Sequence, residues 1–268
     1  MLNSLKKIEN VIDYIEENIT GEINITDLAA QMCLSVYEFR RIFAFIVGCP
    51  ISEYIRKRKL TLAAIEIMSD KKVSVQKISE KYGYANQSAF TRAFCELHGV
   101  APASCAGSES DICLFTRPKF DFNISGGENI SFKIVSENEF YINGYCGVST
   151  LTDTCCCENV WNEFYEKKID ESLNTNEIYA SYSNMGNNVE CHIGEKSSGG
   201  YKIPKSRWAC FKANTVDDDA VNKIYQKILF EWLPSANLKR NENLPTLEIY
   251  PFDMSEDGFE WEIRIPIE

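Results

Sequence analysis

Ser35-Val-Tyr-Glu-Phe39-Arg-Arg41-Ile-Phe43 and Asn86-Gln-Ser-Ala-Phe90-Thr-Arg92-Ala-Phe94 are two versions of one nine-residue pattern. Each reads cap, three variable residues, Phe, any residue, Arg, any residue, Phe. The offset is constant: 86−35, 90−39, 92−41 and 94−43 all give 51, and Gly48 and Gly99 keep it. Ser35 is placed to cap a helix, with Glu38 completing a capping box; Asn86 is placed to cap the other. Phe39 and Phe43 share a helix face, as do Phe90 and Phe94, and these faces belong to a core. Tyr37, Arg40 and Arg41 lie elsewhere on the first helix. Gln87, Ser88, Thr91 and Arg92 lie elsewhere on the second. These residue types suit phosphate and base-edge contacts. A helix repeated in this way means two copies of one recognition device, which points to double-stranded DNA.

Each of these helices follows a shorter one and a tight turn. Thr26 to Met32 leads through Cys33-Leu34, and Ser74 to Lys81 leads through Tyr82-Gly83-Tyr84-Ala85. That is helix-turn-helix order. Between the two motifs, Leu60, Ala64 and Ile67 recur at helical spacing, as do Ile55, Leu62 and Ile65. One long helix is expected over 51–69, with Pro50 at its start. Ser4 to Ile19 reads as a further helix, buried through Leu5, Ile8, Ile12, Ile15 and Ile19.

These stretches, with Leu28-Ala29-Ala30, Arg58-Lys-Leu60, Tyr82-Gly-Tyr84, Gly99 and Pro102, resemble the DNA-binding domain of the AraC/XylS family of transcription regulators. The resemblance implies that the two recognition helices enter successive major-groove segments, with centres ~10 bp apart. It also implies contact with RNA polymerase. Two departures stand out: His98 occupies the place of the usual Phe before Gly99, and Ala103-Ser104-Cys105 replaces the usual Tyr-Arg.

At 268 residues two domains are the natural expectation. No apolar run reaches the ~18 residues of a membrane span, and Met-Leu-Asn-Ser-Leu-Lys-Lys reads as a helix start and not a signal peptide. A cytoplasmic protein is expected. The net charge of −11 divides unevenly: residues 1–110 hold 13 Lys+Arg and 13 Asp+Glu, and residues 111–268 hold 15 and 26. A neutral DNA-binding half implies modest nonspecific affinity. The 11 cysteines, Cys155-Cys156-Cys157 among them, read as reduced structural thiols. They lack paired C-x-x-C spacing, and only His98 and His192 add imidazole, so neither a metal nor a cofactor is expected. Cys191 and His192 should point to opposite faces of one strand.

Ala106 to Asp111 and Phe122 to Asn129, the latter with Gly126-Gly127, read as linker and loop. The expected domains are therefore 1–107, an all-α double helix-turn-helix domain; 108–129, a linker; and 130–268, an α+β domain. In the last, strands at Phe132–Ser136, Phe140–Tyr145, Ile178–Asn184, Val189–Ile193, Arg207–Ala213, Thr246–Tyr250 and Phe259–Ile267 surround helices at Glu158–Leu173 and Asp217–Leu233. The order is that of two β-α-β-β units sharing an antiparallel sheet.

Tyr201-Lys-Ile-Pro204 before Trp208-Ala-Cys-Phe211, Glu231-Trp-Leu-Pro234, Pro245-Thr-Leu-Glu248-Ile-Tyr250 and Glu262-Ile-Arg-Ile-Pro266 resemble the GyrI-like effector-binding domain across about 130–268. Joined to an AraC-type reader, this layout resembles multidrug-responsive activators. The resemblance implies a small lipophilic cation as effector, with Glu248 and Glu262 as its carboxylates. Tyr250 and Arg264 share their strand faces. Trp161, Tyr165, Tyr182, Tyr145, Trp208 and Phe211 are candidate walls, each offering cation–π attraction of ~0.5–2 kcal/mol. Arg264 is able to cancel the negative charge and turn the pocket toward a neutral or anionic ligand. A hydrolase and a protein-interaction module are the alternative readings of this half; no nucleophile–His–acid set supports the former.

Overall fold

The computed structural model describes residues 2–70, 73–105, 112–118, 131–150, 153, 157–168, 176–236, 238–252, 254 and 259–268. The loop calls on 106–111 and 122–129, and Cys155 and Cys156, lie outside them. The chain forms two compact units. One comprises residues 6–24 and 49–123, and the other 25–48 and 124–268, with the first few residues. The first helix-turn-helix therefore groups with the C-terminal sheet and not with its duplicate.

The helical unit holds most of α1 (Leu2–Glu17), α4 (Ile51–Ser69), α5 (Val75–Lys81), α6 (Gln87–His98) and α7 (Pro102–Cys105). Leu60, Ala63, Ala64 and Ile67 of α4 meet Ile78, Tyr82, Phe90, Phe94 and Cys105 in one core. Phe90 and Phe94 are fully buried, as their spacing requires. Asn86 Oδ1 accepts from the Ala89 N–H at 2.8 Å. His98 lies beside Phe94 with the ring planes tilted by 53°, its ring nitrogens 2.6 and 3.2 Å from the carbonyls of Cys113 and Leu60. A polar ring thus fills the place of the family's phenylalanine, with each nitrogen facing a carbonyl oxygen. Arg58 ties α4 to α1 through Glu16 (2.7 Å) and donates to the Phe115 carbonyl (2.6 Å). Residues 112–118, expected as linker, pack against α4 in this way.

The second unit begins with α2 (Ile25–Gln31) and α3 (Val36–Val47). Ser35 and Glu38 form the full capping box expected of them. Gly48 ends α3 at φ 79°, its N–H bonded to the Ala44 carbonyl; Gly99 ends α6 at φ 76°, bonded to that of Cys95. The repeat thus extends to both caps. The leading helices are offset by 50 (75−25 and 81−31) where the recognition helices are offset by 51, so the second turn is one residue longer. Gly83 takes a left-handed φ of 77° there, and Cys33 takes 59° in the first turn. A side chain in that region costs about 1 kcal/mol or more. Cys33→Gly is expected to raise stability by about 1 kcal/mol, read as a higher urea midpoint at constant slope; an unchanged midpoint would show the turn is unstrained.

Among the described residues this unit continues with an eight-stranded antiparallel sheet: β1 (Phe132–Glu137), β2 (Phe140–Ser149), β3 (Glu177–Met185), β4 (Asn188–Ser197), β5 (Tyr201–Ile203), β6 (Ser206–Ala213), β7 (Thr246–Pro251) and β8 (Trp261–Ile267). The spatial order is β1-β6-β8-β7-β3-β4-β2-β5. Exchanging β6-α-β7-β8 for β2-α-β3-β4, and β1 for β5, maps this order onto itself about the β3–β7 pair. The two β-α-β-β units are therefore present, each with one added edge strand; β5 was not foreseen as a strand. The crossover helices are α8 (Glu158–Lys168) and α9 (Asp218–Gln226). The latter is capped by Asp217, continues as a π-helical stretch, Lys227–Trp232, and ends in a turn, Leu233–Ser235.

Candidate functional site

Register decides which side chains meet. Residues directly opposite in an antiparallel pair share a face. Glu248 pairs with Ala180 on β3 and Ile263 on β8, and Tyr250 with Ile178. Thr246 pairs with Tyr182, which pairs with Cys191. All of these point toward the helices. Glu262 pairs with Ile249, and Arg264 with Leu247, so both point to the other face.

On the helix face Glu248 is 2% exposed. Its carboxylate accepts from Tyr225 Oη at 2.6 Å, Tyr250 Oη at 2.8 Å and Tyr37 Oη at 3.0 Å. Among the described residues no cation lies within ion-pair distance of it. Trp161 of α8 donates from Nε1 to Tyr182 Oη at 3.3 Å and sets its ring edge-on to Tyr250. Tyr165 stacks on Trp161, and Trp261 on Tyr250. Burial, followed by the charge of Glu248, holds the phenols of Tyr182, Tyr225 and Tyr250 well above the usual tyrosine range. They remain protonated donors. The result is a cleft closed in this structure and occupied by Tyr37, with a carboxylate at its floor, phenol hydroxyls around it and indole and phenol rings as walls.

The remaining candidates lie apart from Glu248. Tyr145 faces the helices but packs on Phe164. Phe211 packs with Phe132 and Trp232. Trp208 lies in a core on the opposite face with Phe140, Tyr179, Leu247 and Ile249. Glu262 is bonded to Arg264 (2.6 Å) and Lys133 (2.6 Å), and Arg264 reaches Glu137 (2.5 Å). Burial opposes the charge of Glu262, but Lys133 and Arg264 outweigh it and hold its pKa below the usual carboxylate value. Lys133, Glu262 and Arg264 line a hollow of about 370 Å³ whose wall also includes Tyr250 and Trp261. The expectation that Glu248 and Glu262 share one ligand is thus corrected by the one-residue parity of β8 against β7. Arg264 likewise neutralises Glu262 and not Glu248.

The cleft contains residues that the sequence did not offer. Tyr225 comes from α9, and Tyr37 comes from α3. The Tyr37 ring stacks on Tyr182 with centroids 4.0 Å apart and planes 1° from parallel, and meets Tyr225 edge-on. Arg41 sits over the Tyr225 ring at 5.4 Å and pairs with Asp218 at 3.4 Å. Burial opposes its charge, yet Tyr37 and Glu248 raise its pKa above the ordinary arginine value. Arg40 donates to Ser149 and to the Asp153 carbonyl. Glu38, fully buried, pairs with Arg240 at 3.2 Å and accepts from Thr246 Oγ1 at 2.7 Å. The Val36 N–H donates to Asn184 Oδ1 at 2.8 Å and the Thr26 N–H to Asn187 Oδ1 at 3.1 Å. Tyr37 and Arg40 are 3% and 9% exposed. On α6, by contrast, Gln87, Ser88 and Arg92 are exposed and Thr91 is half-buried.

Cys157, expected as a reduced thiol, is joined to Cys191 in a disulfide with Cα atoms 6.3 Å apart. Cys191 points to the helix face of β4, where α8 begins; His192, on the other face, stacks on Tyr201. Among the described residues no helix is long and apolar enough to cross a membrane.

A duplicated helix-turn-helix, joined to a sheet domain with an acid-floored aromatic cleft, defines a transcription regulator that responds to a small molecule. Residues 28–106 match the helix-turn-helix domain family, and residues 133–267, half of the chain, match the integron-associated effector binding protein family. The transcriptional activator AarP of Providencia stuartii is 31% identical over 96 residues, covering 36% of this chain and 70% of that protein. The TetD protein of transposon Tn10 from Escherichia coli is 33% identical over 96 residues, covering 36% and 69%. An integron cassette protein of Vibrio cholerae covers 51% of this chain and 95% of its own at 16% identity and a TM-score of 0.39. The chain belongs to the AraC family of helix-turn-helix transcription regulators and carries a C-terminal effector-binding domain of the integron-associated type.

Proposed function

We propose that the Glu248 cleft takes a lipophilic cation and that its occupancy sets transcription from sites read by both helix-turn-helix motifs. Residues 1–107 act as the reader, 108–129 as the linker and 130–268 as the sensor. Gln87, Ser88, Thr91 and Arg92 of α6, with Tyr37, Arg40 and Arg41 of α3 once that helix leaves the sheet domain against which Tyr37 and Arg40 are buried here, are the DNA-facing set. The output is activation, by analogy with the named activity of the Providencia relative, and contact with RNA polymerase is part of the same proposal.

One observation carries the choice of ligand: Glu248 is buried and bonded only to phenol hydroxyls among the described residues. A carboxylate out of water is costly without a counter-charge. A cation with aromatic groups supplies that charge, and rings such as Trp161, Tyr182 and Tyr250 favour it further.

Tetraphenylphosphonium and tetraphenylborate have the same shape and opposite charge. Calorimetric titration of the full chain is expected to show the cation bound at least ~100-fold more tightly, a difference of about 2.7 kcal/mol. Equal or tighter binding of the borate would overturn the cationic reading.

A further inference from the structure

We infer that α3 is a tethered competitor for the effector cleft: docked, it fills the cleft and withholds its own DNA-reading face, and an effector that takes its place sets that face free. This rests on the reading of the Glu248 cleft as the effector site.

The duplicated motif supplies an internal comparison. Tyr37, Arg40 and Arg41 correspond, at the offset of 51, to Ser88, Thr91 and Arg92. On α6 these positions face solvent or are half-buried. On α3 Tyr37 and Arg40 are buried against the sheet domain. The two helices share their caps and their Phe pairs, so local folding does not explain the difference. What differs is that the α3 face carries a phenol and two guanidinium groups: the cleft takes Tyr37 and Arg41, and Ser149 and the Asp153 carbonyl take Arg40.

The fit has the form of a ligand. Tyr37 lays a flat ring on Tyr182 and delivers a hydroxyl to Glu248. Arg41, one turn on and on the same helix face, puts a cation over Tyr225. An arene next to a cation is the chemistry proposed for the effector, so both cannot occupy the carboxylate at once. The same guanidinium groups and phenol are the groups that would meet phosphates and base edges. Cleft and DNA therefore compete for one surface, and effector and α3 compete for one cleft. An effector shifts this equilibrium because it binds only the undocked state. Its apparent affinity is reduced by the undocked fraction.

The test compares the full chain with Asn184→Ala/Asn187→Ala. These side chains hold the Val36 and Thr26 N–H groups from the β3–β4 hairpin, and neither belongs to the DNA-facing set or the cleft. Hydrogen exchange at residues 36–47 reports docking, and fluorescence anisotropy reports affinity for a duplex selected from a random pool. Without ligand, the variant is expected to exchange at least ~10-fold faster in this segment and to bind the duplex at least ~10-fold more tightly. Tetraphenylphosphonium should produce both changes in the unaltered chain, add little to the variant, and bind the variant more tightly. Where the hairpin variant leaves exchange unchanged, Tyr182→Ala, which removes the stacked ring, takes its place for the ligand-free comparison of exchange and DNA affinity alone. Faster exchange with unchanged DNA affinity would overturn the inference. So would tetraphenylphosphonium binding that leaves exchange at 36–47 unaltered, a result that keeps the sensor reading intact. Failure of the cation to bind either protein would count against the sensor reading, while the ligand-free comparison still decides whether docking restrains DNA binding.

Discussion

Replacing Arg240 with methionine is expected to cost about 3–5 kcal/mol, the typical penalty for leaving one member of a buried ion pair without its partner. Glu38 has no route to water where it lies. Its side chain is fully buried, and its oxygens are divided among Arg240, Thr246 Oγ1 and the Ser35 N–H of its own capping box. Arg240 is itself 4% exposed at the side chain and also reaches Thr246 at 3.1 Å. Removing the guanidinium leaves a carboxylate with two neutral donors in a site that excludes solvent. Methionine fills the space, so the loss is chiefly electrostatic. Thermal unfolding of the Arg240→Met protein is expected to begin roughly 10 °C lower, at a few degrees per kcal/mol for a chain of this size.

The pair belongs to a docked helix, and that gives the penalty a second outlet. Undocking α3 returns Glu38 to water, so destabilisation stops growing once undocking is cheaper than burying the lone charge. The double variant Glu38→Gln/Arg240→Met separates the cases. Glutamine keeps the reach to the Ser35 N–H that the capping box requires but carries no charge. It should recover most of the loss, because removing both charges avoids the uncompensated one. A single Arg240→Met change within the ~0.5 kcal/mol typical of surface substitutions would mean that Glu38 is solvated in the free protein.

The helical repeat was legible because its signals are local. Caps, Phe pairs and terminal glycines all act within one or two turns, and each recurs at 51 residues. Period-two alternation likewise placed Glu248 with Tyr250, and Cys191 opposite His192. It did not relate one strand to the next. Whether Glu262 faces Glu248 depends on the β7–β8 register, and a shift of one residue would have put them together. Tyr225 lies four residues after Val221 on the buried side of α9, so its helical spacing offered a signal that went unused. Tyr37 offered none. It bonds to a residue 211 positions away, and a tyrosine beside two arginines reads the same whether its partner is a phosphate or a carboxylate. The Cys157–Cys191 link is hidden for a similar reason, since it depends on where α8 crosses β4.

Glu248→Gln should abolish most cation binding while leaving the fold in place. Glutamine has nearly the same shape, its carbonyl can accept from two of the three phenols, and its amide can donate to the oxygen of the third. What is lost is the charge. Truncating one partner of a buried, hydrogen-bonded charge pair costs about 2–5 kcal/mol, so affinity for tetraphenylphosphonium is expected to fall at least ~30-fold. Trp161→Ala removes one wall and should cost only ~0.5–2 kcal/mol. The sharper readout is discrimination. If Glu248 is the counter-charge, the preference for tetraphenylphosphonium over tetraphenylborate collapses in Glu248→Gln and survives in Trp161→Ala. If the preference survives in Glu248→Gln and is lost instead in Glu262→Gln, the ligand lies on the opposite face of the sheet, and the phenol cluster around Glu248 serves only to hold α3. Because Arg264 and Lys133 already neutralise Glu262, the first outcome is the one the electrostatics favour.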